Sequence, residues 1–364
     1  MHWILVYFYV FDVSFLLALL LTPLCKRLSF DWGYIDQPDQ DRKIHSQAMP
    51  LLGGVAVFGA FALNIIFNYL VMLPAAGRLE LSFVDLRELQ FHIEGAFSVW
   101  RKLVVLLVGG ALMVGLGLYD DKYELKARTK LLGQIGIAVL VALAGMRLTV
   151  FVHNHVVSFI LTVLWIVTLT NALNFLDNMD GLCAGVGMVC ALMFGFIAGI
   201  QHQYFVCLLA FALAGALLGF LPHNFKPATI FLGDAGSHFI GYMLAVLPIM
   251  GTFYRSGEQT HLPVLIPLLV LAVPLFDMGM VMWIRFRRGQ PVYIGDVNHI
   301  SHRLVRLGLP QSWAVTLIYL IAATLGLGAT VLLWSDVTGA LIVLVQALCI
   351  LAIVSLLEQL GSRR

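Results

Sequence analysis

Four polar stretches carry the side chains able to do chemistry in this chain. Residues 171–182 read Asn171-Ala-Leu-Asn174-Phe-Leu-Asp177-Asn-Met-Asp180-Gly181-Leu. Amides and carboxylates recur there every three positions, a spacing that places helical neighbours on one face. Asp120-Asp121-Lys-Tyr-Glu comes earlier, with Lys130 beyond it; Phe231-Leu-Gly233-Asp234-Ala-Gly236-Ser237 and His299-Ile-Ser301-His302-Arg303-Leu come later. Clustered carboxylates repel, each like pair costing about 4 kcal/mol at a separation of about 4 Å and an effective dielectric of about 20. A hard divalent cation offsets that cost, and the oxygens of Asp and Asn suit Mg2+. Gly and small residues at a helix start let backbone N–H groups meet phosphate oxygens. Imidazole and guanidinium in the last stretch fit bound phosphate charge, and Lys43 and His45 add a further cationic edge. Each piece also has an ordinary explanation: Asp180 and Asp234 as helix N-caps, the paired aspartates as a solvated helix end, Lys43 as part of a basic bias.

The elements that position these stretches are long and apolar. Of 364 residues, 60% are hydrophobic and 12% charged, and the mean hydropathy is +0.93. Soluble domains carry about 25% charged residues, so the composition specifies an integral membrane protein. Apolar runs fall at residues 4–25, 51–73, 103–118, 131–148, 156–173, 182–200, 204–220, 239–250, 262–283, 314–334 and 338–357. Their lengths are helical, since a span needs about 20 residues; a barrel would alternate over short strands. The expectation is an all-α integral membrane protein with about eleven transmembrane helices and a cytoplasmic-face active site, residues 1–364 forming one polytopic domain. The first run lacks a basic region and a small-residue cleavage site, which reads as a retained span. Residues 149–155 read as a small hairpin. The five cysteines lie in or beside apolar runs with no Cys-x-x-Cys, and read as small buried residues. No basic patch with interleaved aromatics occurs, which excludes nucleic acid as a partner.

Orientation follows the positive-inside bias. Of the 22 Lys and Arg, all except Arg78, Arg87, Arg101, Lys102, Arg147 and Arg255 fall in connections after odd-numbered spans or in the tail. Those connections, about residues 26–50, 119–130, 171–181, 221–237 and 284–312, are therefore cytoplasmic, as is the C-terminus, with the N-terminus outside. All four polar stretches fall on that side, although their content played no part in setting the topology. Four independent stretches would share one given side about one time in sixteen, so the coincidence points to a single site at the inner face of a cell membrane.

Taken together, the order and spacing of Asp120-Asp121, Asn171-x-x-Asn174-x-x-Asp177-x-x-Asp180-Gly181-Leu182, Phe231-x-Gly233-Asp234-x-Gly236-Ser237 and His299-x-x-His302-Arg303-Leu304 resemble the polyprenyl-phosphate N-acetylhexosamine-1-phosphate transferase superfamily. The resemblance implies transfer of a sugar 1-phosphate from a UDP-N-acetylhexosamine, UDP-GlcNAc foremost, to undecaprenyl or another polyprenyl phosphate. UMP is released, Mg2+ (or Mn2+) is required, and a cell-envelope polysaccharide is begun. It also implies roles. Asn174 and Asp234 would hold the metal. Asp120, with Asp121 beside it, would deprotonate or orient the lipid phosphate. Asp180 would contact uracil and Phe231 stack on it. His299, His302 and Arg303 would bind the sugar-phosphate side, and Lys130 matches a lysine often found after the paired aspartates. Asp177 belongs to the catalytic set with a less defined role, and Lys43 would bind substrate.

Ser301 departs from the His-x-His-His-Arg-Leu loop of the WecA/TagO-like branch, which the sequence otherwise resembles more than the MraY branch that uses UDP-MurNAc-pentapeptide. A secondary transporter is the rival of a different class; it predicts acids at mid-span and a repeat relating two halves. Asp277 is the acid in the ninth run, and it can instead support the site from the cytoplasmic third of its helix. A homodimer is left open.

Overall fold

In the computed structural model, residues 3–37, 48–72, 95, 98–148, 154–253, 261–291 and 299–361 are described. Lys43, His45 and most of residues 149–155, together with the hairpin expected there, lie outside them. Every apolar run is helical, as the lack of other partners for backbone N–H and C=O groups in lipid demands. The order is α1 (Trp3–Trp32), α2 (Gly53–Phe67, continued by a π turn Asn68–Met72), α3 (Trp100–Tyr123), α4 (Ala127–Leu143), α5 (His155–Leu176), α6 (Leu182–Ile200), α7 (Tyr204–Asn224), α8 (Gly233–Met250), α9 (Ile266–Val270), α10 (Ala272–Arg287), α11 (Ile300–Arg306), α12 (Gln311–Val331) and α13 (Val337–Gly361). Two short strands not foreseen from the sequence, β1 (Ile35–Asp36) and β2 (Met49–Pro50), pair antiparallel between α1 and α2.

Among the described residues, 8 helices are long and apolar enough to cross a membrane, or 9 if the pair Leu262–Val270 and Ala272–Arg287, bent by 69°, is one span. The protein is thus an all-α, multi-pass membrane protein, with fewer qualifying spans than the eleven apolar runs. Two helices fall short. α4 has 17 residues. α8, though 18 residues long, contains Asp234, Ser237, His238 and Tyr242. The reason for its polarity is its place: α8 packs against α2, α3, α5, α6 and α7, and every residue from Ala235 to Pro248 is buried. A helix covered by protein on all sides need not be apolar toward lipid.

Close backbone approach, rather than large side chains, seats this helix. A Cβ on Gly54 would lie 2.1 Å from the backbone nitrogen of Gly236, and one on Gly117 would lie 2.3 Å from that of Ala235. The ends of α2 and α3 therefore touch the first turn of α8. Between α7 and α1 the approach is as close: Cβ atoms at Gly215 and Gly219 would each lie 2.2 Å from a carbonyl of α1, those of Phe11 and Phe15. Such small-residue stripes drive helix association where lipid removes the hydrophobic difference between partners. Four of the cysteines are buried as expected; Cys349 is exposed on α13.

Candidate active site

The site residues sit on helix ends more than on loops, because helices continue past the apolar runs into polar sequence. Asp120 and Asp121 end α3, Lys130 lies in the first turns of α4, Asn171 and Asn174 end α5, and Asp234 lies in the first turn of α8. The spacing by threes therefore shares one helical face only for Asn171 and Asn174. Asp177 is the C-cap of α5, and Asp180 lies in the turn that Gly181, at φ +76°, closes before α6.

Lys130 joins the pieces. Its Nζ lies 2.8 Å from Asp120 Oδ2 and 2.6 Å from Asp234 Oδ2, and donates to Asn174 Oδ1 at 3.1 Å. Asn174 Nδ2 donates to Asp234 Oδ1 at 2.6 Å and to Ser237 Oγ at 3.0 Å. Both ends of the Asn174 amide are thus committed to holding Lys130 and Asp234. Asp120 also accepts the Leu125 N–H at 2.7 Å, which pins its carboxylate over the α3–α4 turn.

The second aspartate of the pair plays a different part from the first. Asp121 accepts the N–H groups of Asp234 at 2.9 Å and Ala235 at 3.3 Å, so it caps α8 from outside. A carboxylate at a helix C-terminus is disfavoured by that helix's dipole; at Asp121 the positive end of α8 compensates. This corrects two expectations. Asp234 does not cap its own helix, and these two N–H groups are occupied by Asp121 instead of being open to a phosphate.

Asp177 differs from its neighbours. Among the described residues its carboxylate takes no hydrogen bond and forms no ion pair, yet it is exposed to the like charges of Asp234, Asp121 and Asp180. Burial, then the charges of Asp234, Asp121 and Asp180, hold its pKa well above the ordinary carboxylate value. No three His, Cys, Asp or Glu among the described residues converge as a ready-made metal cage.

A neighbouring region borders the loop at 224–232. Asp180 Oδ2 accepts the Ala228 N–H at 3.2 Å, so it does not cap α6. Asn224, fully within the core, accepts the Gly181 N–H at 3.1 Å and donates to the Ile230 carbonyl at 3.0 Å. Phe231 is held through its backbone: its N–H donates to Pro50 O at 2.8 Å and its carbonyl accepts from Gly53 at 3.1 Å. The strand pair β1–β2 thereby positions Phe231. Tyr319 on α12 donates to the Gly181 carbonyl. Sequence reasoning named neither Asn224 nor Tyr319; Tyr319 lies in an apolar run with no local signal, whereas Asn224 stood visibly at a helix end.

The histidine stretch docks on the other side of residues 174–178. Asp277 Oδ2 lies 2.7 Å from His299 Nδ1, and Asp277 Oδ1 accepts the Ile300 N–H at 2.8 Å. Asp277 thus supports the site by capping α11 and fixing the imidazole. The Phe175 ring meets His299 edge-on at 6.2 Å, and Arg285 lies over the same ring at 5.6 Å. The His299 and His302 rings are 6.5 Å apart, and Arg303 is buried beside them. Ser301, the position that departs from the branch pattern, is fully buried and donates to Asn178 Oδ1. Residues 174–178 therefore reach the acidic cluster through Asn174 and the cationic stretch through Phe175 and Asn178.

A multi-pass helical protein with amides, carboxylates and cations gathered at helix ends is of the class that handles phosphorylated substrates at a membrane surface. Residues 103–252 match the model of glycosyl transferase family 4. The chain is 33% identical over 330 residues to the "Probable undecaprenyl-phosphate N-acetylglucosaminyl 1-phosphate transferase" of Bacillus subtilis (strain 168), covering 88% of this chain and 84% of the relative. It is 31% identical over 359 residues to the "Decaprenyl-phosphate N-acetylglucosaminephosphotransferase" of Mycolicibacterium smegmatis, covering 92% and 84%. To the "Undecaprenyl-phosphate alpha-N-acetylglucosaminyl 1-phosphate transferase" of Yersinia pestis it is 26% identical over 340 residues, covering 89% and 82%. The chain belongs to glycosyl transferase family 4, the polyprenyl-phosphate N-acetylhexosamine-1-phosphate transferases.

Proposed function

We propose that this protein transfers N-acetylglucosamine 1-phosphate from UDP-GlcNAc to a polyprenyl phosphate, releasing UMP, at the cytoplasmic face of the cell membrane. The observation that carries this reading is the convergence of Asp120, Lys130, Asn174 and Asp234 from four separate helices, within a chain whose relatives are named for that transfer. In the reaction, an oxygen of the lipid phosphate attacks the phosphorus bearing the sugar, and the bond from that phosphorus to the UMP oxygen breaks. Lys130 screens the negative charge brought together there. Asp120 orients the acceptor phosphate or takes its proton. Phe231, within the 224–232 loop, and Asp180, which holds that loop at Ala228, receive the uracil. His299, held by Asp277, acts with His302 and Arg303 on the sugar-phosphate side, and Lys43 adds a charge to the substrate edge.

The donor set fits Mg2+ (or Mn2+). Mg2+ is commonly held by one or two carboxylates with substrate phosphates completing the shell, so the lack of an all-protein cage among the described residues is no obstacle. Asp177, whose carboxylate takes no hydrogen bond among the described residues, and Asp234 would hold the ion, with Asn174 positioning Asp234. When bound, it supplies neutralisation of the pyrophosphate and of the departing UMP.

The remaining two apolar helices complete the eleven spans of this reading. At 1.5 Å per residue, α4 and α8 are about 26 Å and 27 Å long, near the hydrocarbon thickness of about 30 Å. The basic bias then puts all four polar stretches inside. The test is transfer from labelled UDP-GlcNAc, UDP-GalNAc or UDP-MurNAc-pentapeptide to undecaprenyl phosphate by the purified protein. UMP release from UDP-GlcNAc is expected, and its loss in Asp120→Asn and Asp234→Asn variants that still fold. Preference for another donor, or full activity in either variant, would overturn the assignment.

A further inference from the structure

One turn below the cluster lies a second polar layer that the proposed chemistry does not use. It is built from Gln134, Asn171 and His238, and Gln134 and His238 are fully buried. Each member sits on the same helix as a site residue. Gln134 follows Lys130 by four on α4, Asn171 precedes Asn174 by three on α5, and His238 follows Asp234 by four on α8. Spacings of three and four stack side chains on one helical face. The two layers therefore cross the same three helices, one above the other.

The hydrogen bonds of the lower layer run in one direction only. Asn171 Nδ2 lies 2.8 Å from the Val167 carbonyl. A carbonyl can only accept, so this atom is the amide nitrogen. The same Nδ2 lies 2.6 Å from Gln134, whose facing atom must then be Oε1. The other end of Gln134, its NH2, is left 3.2 Å from His238 Nε2. That nitrogen must carry the lone pair, which places the imidazole proton on Nδ1. His238 Nδ1 is buried and has no hydrogen-bond partner among the described residues. An orphaned buried donor lowers stability, and an apolar side chain would fill this space without one. Packing alone does not account for a histidine here.

We propose that His238 and Gln134 are positioning residues: through the directed chain Asn171–Gln134–His238 they fix the rotation of α4 against α5 and α8, and so hold the Lys130 ammonium between Asp120 and Asp234. The inference rests on the reading of Lys130 and Asp234 as substrate-handling groups. His238 itself touches neither substrate.

The experiment compares His238→Leu, His238→Gln, His238→Asn, Gln134→Met and the Leu/Met double variant in the full-length purified protein. It measures kcat and KM for UDP-GlcNAc transfer, together with thermal unfolding. His238→Leu and Gln134→Met are expected to lower kcat about tenfold with KM changed less than about twofold, and the double variant to fall no further, since the two act as one unit. His238→Gln places an amide oxygen where Nε2 accepts and is expected to restore kcat to within about twofold. His238→Asn has the same chemistry without the reach and stays low. Wild-type kcat in His238→Leu overturns the proposal. If that variant fails to fold, equal activity of the Gln and Asn variants overturns it in the same way. Additive losses that track the melting temperature would show a packing role only and also overturn it. Asp234→Asn is run alongside: activity there would defeat the underlying site reading, whereas a dead Asp234→Asn beside an unaffected His238→Leu defeats this inference alone.

Discussion

Two residues in the acidic cluster show how a local environment divides the labour. Lys130 is mostly buried between two carboxylates. Removing one partner of a buried ion pair costs about 3–5 kcal/mol, because the remaining charges stay uncompensated. Lys130→Met should therefore lose stability of that order, and millimolar Mg2+ should recover part of it by supplying another cation; thermal unfolding with and without the metal checks this. Asp177 carries the opposite problem, a carboxylate with neighbours of its own sign. Its folded-state pKa lies above its ordinary value of 3.8, so the folded protein binds that proton more tightly than the unfolded chain. The contribution is present below the ordinary value and is lost as pH rises through the raised one. In metal-free protein, Asp177→Asn should gain melting temperature relative to wild type as pH is raised from the carboxylate range toward neutrality, and Mg2+ should close the gap. A pH-independent difference between the two proteins would show that the carboxylate does not titrate there.

At the scale of elements, the first turn of α8 is the fixed point. Asp121 caps it, Gly54 and Gly117 press against its backbone, and Pro50 and Gly53 hold the preceding Phe231-Leu232 segment. Gly233, at φ +71°, lets the chain turn into the helix at a point where a Cβ would lie 2.7 Å from the Leu51 carbonyl oxygen. Overpacking at such a backbone contact costs about 1–3 kcal/mol. Gly54→Ala should lower the melting temperature and cut transfer strongly, since the displaced turn carries Asp234. Gly59→Ala on the same helix, where the nearest atom is Leu21 Cδ1 at 3.6 Å, should do neither. Equal effects of the two substitutions would show that the α2–α8 approach is not what places the site. The contact is invisible in sequence: Gly53-Gly54 reads as a flexible start to an apolar run, and nothing local says that another helix's backbone lies against it.

For the whole molecule, the proposed orientation rests on the Lys/Arg distribution alone. In a variant lacking the native cysteines, Lys226→Cys should react with a membrane-impermeant thiol reagent only in inverted vesicles, and Asp336→Cys only from outside. The reverse pattern would invert the topology and place the site on the wrong face for a cytoplasmic nucleotide sugar. The same scale explains the mismatch in span number. Each of the apolar runs forms a helix over most of its described length, but a helix sheathed by others, as α8 is, can carry Ser237, His238 and Tyr242 at no cost in lipid. Hydropathy sums every side chain whichever way it faces, so a sheathed helix with polar residues scores low whether or not it crosses the membrane.

Sequence alone determined the environment and the helical class, and it named the candidate side chains, because lipid imposes composition and helix length on every span, and because phosphate chemistry draws on few residue types. It grouped Asp120, Asn174, Asp177 and Asp234 with the histidine stretch through topology, without any contact in hand. The tertiary structure decided which of these bonds to which: Lys130 at the centre, Asp121 as a cap, Asp177 without a hydrogen bond among the described residues, Asp277 behind His299, and Ser301 on Asn178. Those assignments depend on the rotation and close approach of helices far apart in the chain, and neither quantity is encoded in the local spacing of residues.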